Sequence, residues 1–178
     1  MKLRYFSISI LFVVSTALAT NSYLPDYLTK KMSRQLNKVF GKNTVYKEVP
    51  VDDSVAINHQ VFEIIDSDSL AGYSVITRAL GCKIGGCDKP SKDSLVFEQF
   101  FFVTAFDKNE NIRKVRVLEY PSDHGYQIAN KGWLKQFEKG KTFAVGENID
   151  AITGATISVK SITNAVNEQV KIVAQVSK

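Results

Sequence analysis

Two cysteines, two histidines and one tryptophan are all that the 178 residues hold of those types. Two thiols cannot ligate an iron–sulfur cluster, which draws on about four. No apolar run reaches the ~20 residues of a spanning helix, so a multi-span membrane protein is excluded. Internal repeats, low-complexity tracts and Pro/Gly/Ser linkers are also missing. One compact unit is the simplest organisation for a chain of this length.

The longest apolar stretch lies in the opening MKLRYFSISILFVVSTALAT. Lys2 and Arg4 precede an apolar or small run from Phe6 to Leu18, and Ala17-Leu18-Ala19 is an A-x-A-type cleavage site. This is the three-part pattern of a secretory signal peptide, residues 1–19, with an uncleaved amino-terminal anchor as the alternative. No cysteine near that point could carry a lipid. Export to the periplasm, or to the outer face of a bacterial cytoplasmic membrane, is the expectation. Without residues 1–19 the chain has 21 basic and 18 acidic residues, a net charge of +3. That excess is too small and too evenly spread for a nucleic-acid partner.

The two cysteines, Cys82 and Cys87, lie in GCKIGGCD. In an exported protein such a pair is expected to be a disulfide stapling the Gly85-Gly86 turn, a loop that contributes about 2 kcal/mol. A redox dithiol and half of a metal site are the alternatives. The C-x4-C spacing is that of neither a thioredoxin-like motif nor a zinc knuckle.

Leu28, Met32, Leu36, Val39 and Phe40 recur at helical spacing after Pro25, with Lys30, Lys31, Arg34 and Lys38 opposite and Gly41 at the end. This predicts an amphipathic helix. Strand-like segments follow at 45–51, 61–65, 72–77, 96–106 and 112–119, rich in β-branched and aromatic residues. Asp107 to Asn111 reads as a hairpin turn. The run Phe97 to Val103 is too apolar for a strand with one wet face. After the polar loop 121–132, Trp133, Leu134 and Phe137 predict a short helix and core positions. A final helix is expected from about Thr156 to Val176. The fold class is α+β, a mostly antiparallel sheet packed with an N-terminal amphipathic helix and a C-terminal helix. Residues 20–69 supply the first helix and strands, and 70–178 the remaining domain.

The stretch Asp150-Ala-Ile-Thr-Gly-Ala-Thr156-Ile-Ser158 precedes that last helix. Thr153, Gly154 and Ala155 have little bulk, so a ligand can come close to the backbone. The first helical turn contains Ser158 and Lys160 but no acid. A helix amino terminus offers unpaired N–H groups and partial positive charge, which suits a phosphate. An ordinary strand–turn–helix junction capped by Thr153 is the other reading.

The stretch resembles the D-x-x-[ST]-G-A-T signature of the FMN-binding domain family. That family includes the G subunit of Rnf electron-transport complexes and the C subunit of the Na+-translocating NADH:quinone reductase. The likeness runs from about residue 70 to 175 and takes in Tyr73-Ser-Val-Ile-Thr77, Val115-Arg-Val-Leu-Glu-Tyr120, His124-Gly-Tyr-Gln-Ile128 and Trp133-Leu-Lys-Gln-Phe137. Where longer members have a T-P-G-L-G-type loop, this chain has Ser122-Asp-His-Gly-Tyr126.

The resemblance implies FMN joined to Thr156 by a phosphoester, installed by a flavin transferase that uses FAD. Backbone N–H groups from Ala155 through Ile157 to Ser158 would hold the phosphate, and Gly154 would permit its approach beside Thr153. Gly125 and Tyr126 would lie against the isoalloxazine ring. Asp150 would serve the modifying enzyme, since a carboxylate repels a phosphate. The function implied is electron transfer between redox partner proteins at or near the membrane. A module binding FMN without esterification, and a flavin-dependent reductase, are the alternatives. His124 reads as a solvated loop residue, and no partner can be named for His59.

Overall fold

The structure is a computed structural model that describes residues 25–83 and 97–178. Helix α1 (Asp26–Phe40) is followed by β1 (Val45–Val49), a single turn α2 (Asp53–Ala56), β2 (His59–Asp66) and β3 (Ser69–Lys83). Then come β4 (Phe97–Asp107), β5 (Ile112–Glu119), a 3-10 turn (Tyr126–Ala129), α3 (Lys131–Leu134), a second 3-10 turn (Lys135–Lys139) and α4 (Thr156–Val176). The five strands form one antiparallel sheet in the order β1-β2-β3-β4-β5. Each strand therefore pairs with its neighbour in sequence. The α+β reading holds.

Both faces of the sheet are covered. On one face Leu28, Met32 and Leu36 of α1 bury themselves against Phe62, Ile76 and Val103. On the other, Val159, Ile162, Val166 and Val173 of α4 pack with Val75, Phe100 and Phe102, joined by Trp133 and Phe137. Side chains of a strand alternate between faces. Phe100 and Phe102 thus enter the α4 core while Phe101 and Val103 meet α1. Two apolar faces explain why β4 is hydrophobic without alternation.

Pro25 stands just before α1, as its N-cap, and no side chain caps that helix. Strands β1, β2 and β4 begin and end within two residues of expectation, and two differences are larger. β3 runs fifteen residues, well beyond 72–77. The turn α2 was not anticipated, because four residues carry no readable period. The hairpin between β4 and β5 is as expected: the Asp107 carboxylate accepts from the backbone N–H groups of Asn109 and Asn111, at 2.9 and 3.0 Å. Residues 1–24 and Cys87 lie outside the described residues. Every buried residue of the two cores lies at or beyond Leu28.

Candidate functional site

The loop into α4 is fixed from the side. The Trp133 indole N–H donates to the carbonyl of Asp150 at 2.9 Å, and the Asp150 N–H donates to Gln136 Oε1 at 2.8 Å. Trp133 is thus a core residue, as expected, and a clamp on the first residue of the motif. The Asp150 side chain is left exposed.

The chain then turns through Gly154, whose φ of +78° favours glycine, and an added Cβ there would meet nothing within 4 Å. Backbone conformation, not crowding, selects this glycine. Ala155 is fully buried and its N–H is already given to the Ile152 carbonyl at 3.1 Å. It therefore has no N–H to offer a phosphate. Helix α4 opens at Thr156 with Ala155 as N-cap and no side-chain cap, and with no acid in its first turn. Thr153 caps nothing. The N–H groups of Thr156, Ile157 and Ser158 have no acceptor within the helix, and the Thr156 side chain is exposed beside them. A 21-residue helix also places partial positive charge at this point. An exposed hydroxyl and free N–H donors together fit a phosphate monoester.

Ser158 points the other way. It is fully buried, and its Oγ lies 2.7 Å from the Tyr120 hydroxyl. Tyr120 has one proton, which it donates to the His124 carbonyl at 2.8 Å. Ser158 must then be the donor to Tyr120, and the Cys82 N–H donates to the same oxygen. Burial raises the Tyr120 pKa, opposed by these two donors. One phenol thereby joins β3, the loop after β5 and the first turn of α4.

Gly125 fits into the crook. Its φ is +83°, and a Cβ there would stand 2.6 Å from the Tyr120 hydroxyl and 3.0 Å from both Cys82 Sγ and Ser158 Oγ. Tyr126, next in the chain, is 57% exposed, and its ring is open to a ligand. His124 is exposed, as expected.

Cys82 is disulfide-bonded and buried. Its sulfur lies 3.8 Å from both the Gly154 carbonyl and Ser158 Oγ. A disulfide sulfur has no proton to donate, so the approach to Gly154 is a packing contact. Nothing in the local sequence brings Cys82 against the motif. The contact spans 72 residues.

His59 also acquires partners that local pattern did not reveal. Gln169 Nε2 donates to Thr77 Oγ1 at 2.6 Å, and Thr77 Oγ1 shares a hydrogen bond with His59 Nδ1 at 2.7 Å. His59 Nε2 lies 3.3 Å from Glu168 Oε2. Burial lowers the His59 pKa, against the pull of Glu168. His59, Thr77 and Glu168 line a cleft of about 410 Å3 between α4 and β3, and Ile157 lines it too. Among the described residues no group of His, Cys, Asp or Glu could hold a metal ion.

Residues 99–171 match the model of the FMN-binding domain family, from β4 through most of α4. FMN is the cofactor of such a domain, and the uncapped end of α4 lies inside the matched region. No curated protein matches the chain.

Proposed function

With an FMN-binding domain at residues 99–171 as the premise, we propose that the chain carries FMN on Thr156 and works outside the cytoplasm as an electron carrier. The observation behind the attachment is the start of α4: an exposed threonine hydroxyl beside N–H groups that no side chain caps. In the attachment step Thr156 Oγ forms a bond to the FMN phosphorus of FAD. The pyrophosphate bond breaks, AMP leaves, and the threonine proton passes to a base of the flavin transferase.

When bound, FMN supplies the redox chemistry, and the protein supplies position and environment. The N–H groups of Thr156, Ile157 and Ser158 hold phosphate oxygens. Gly154 admits the phosphate, and the exposed Tyr126 ring offers a stacking face. Asp150, outside this cradle and exposed, is free to meet the transferase. Export rests on the amino-terminal pattern of residues 1–19. The redox partners are proteins at or near the membrane.

Coexpression with a flavin transferase and mass spectrometry test the attachment. The expected product is a Thr156 peptide heavier by FMN less water, absent from Thr156→Val. Yellow colour that leaves the wild type on denaturation would favour FMN held without an ester. An unmodified, colourless protein would overturn the proposal.

A further inference from the structure

Helix α1 covers one sheet face with its apolar stripe, and its other side has an unusual composition. Residues 27–40 contain Lys30, Lys31, Arg34 and Lys38 and no acid. At ~3.6 residues per turn these four fall within about a third of the circumference, opposite Leu28, Met32 and Leu36. Lys30, Arg34 and Lys38 are exposed. Tyr27, 47% exposed, stands on the same side with the Lys31 ammonium over its ring.

The positive charge continues past the helix. Lys114 and Arg116 of β5 pair with Ala105 and Val103, whose side chains meet α1, so they lie on the α1 face. The Lys114 ammonium is held below the usual lysine range by burial and then by Arg116, Lys38 and Lys131, with Glu138 opposing. None of these cations forms an ion pair with a described carboxylate. Of the acids around this face, Glu119 is already the acceptor for Tyr27, Glu138 acts on Lys114, and Asp26 opens the helix four residues before Lys30.

We propose that this face, built on Lys30, Arg34, Lys38, Lys114 and Arg116, lies on an anionic membrane surface. Charge complementarity favours anionic lipid, and an aromatic ring among cations on one exposed side of the helix is the composition of a surface that meets lipid headgroups. The inference is independent of how FMN is held.

Vesicle sedimentation tests it with the chain from Thr20, which keeps every core residue. Binding to phosphatidylcholine vesicles containing phosphatidylglycerol is expected, with none to phosphatidylcholine alone, and with loss as salt is raised. Each cation contributes about fivefold to such binding. Lys30→Gln/Arg34→Gln/Lys38→Gln should then weaken it about 100-fold. Lys108→Gln/Lys171→Gln/Lys178→Gln, with the same change in net charge, should bind like the parent. Equal losses in both variants, or no loss in the first, would overturn the proposal. So would binding to an acidic polypeptide but not to the vesicles. Unchanged circular dichroism keeps misfolding apart from these outcomes.

Discussion

The hydroxyl of Ser158, the third residue of α4, lies 2.7 Å from that of Tyr120, the residue after β5. The candidate phosphate site is therefore tied to the end of the sheet through the third residue of the helix. Thr156 faces solvent while Ser158 is buried, so the first can offer its side chain and the second only its N–H.

Removing this tie should loosen the site. Tyr120→Phe leaves the Ser158 hydroxyl, the Cys82 N–H and the His124 carbonyl each short of a partner, and should cost about 1–3 kcal/mol. Ser158→Ala should cost ~1 kcal/mol. Urea denaturation of both single variants and the double should show that the losses do not add. Additive losses would mean that the two hydroxyls act separately.

Two glycines in the left-handed region make a matched comparison. Gly154→Ala adds a methyl into open space, so only the backbone cost of about 1–2 kcal/mol applies. Gly125→Ala adds the same cost and drives a Cβ into Tyr120, Cys82 and Ser158, a further ~1–3 kcal/mol. Denaturation midpoints should rank wild type above Gly154→Ala and Gly154→Ala above Gly125→Ala.

His59 should impose a pH dependence on stability. Its folded pKa lies below the ordinary value of 6.5, so the folded state resists protonation. Its contribution is complete above pH 6.5 and declines as the pH falls from there through the folded value. Melting temperatures from pH 7.5 to 5 should fall, and His59→Gln should flatten the curve. Glu168→Gln should steepen it, because protonated His59 then lacks its carboxylate.

Loss of the disulfide should reach the proposed flavin site. The pair was expected to be a staple independent of the cofactor, yet the Cys82 sulfur touches Gly154 and sits beside Ser158. Replacing both cysteines by alanine removes atoms from beneath the motif as well as the cross-link. Stability should fall by about 2 kcal/mol or more, and the yield of flavinylated protein should drop with it. Full flavinylation of a destabilised variant would return the disulfide to a purely structural role.

Periodic elements could be read directly. The stripe from Leu28 to Phe40 announced α1, and α4 was expected at Thr156, where it begins. Strand β5 has the expected bounds because apolar and charged residues alternate between two hairpin-like breaks. Strand β3 was underestimated because Arg78 and Gly81 interrupt its apolar pattern after Thr77. They are tolerated because β2 and β4 flank this strand on both sides. The residues around the motif were legible, but their supports were not. Tyr120 and Ser158 are 38 apart in sequence, and His59 finds Glu168 across 109 residues. Such contacts are products of strand order and helix docking, and no local spacing encodes them.

The order of the sheet bears on when Thr156 becomes usable. All four strand pairings join consecutive strands, so the sheet can zip up hairpin by hairpin as the chain emerges. Helix α4 follows every strand and rests on β3. Its first turn is packed against Tyr120, Gly125 and Cys82, which surround Ser158. On the proposal that Thr156 is the acceptor, its hydroxyl is presented by contacts drawn from distant parts of the chain. A transferase that requires this presented shape would modify finished molecules and pass over unfinished ones, which would make cofactor loading a quality inspection of the fold.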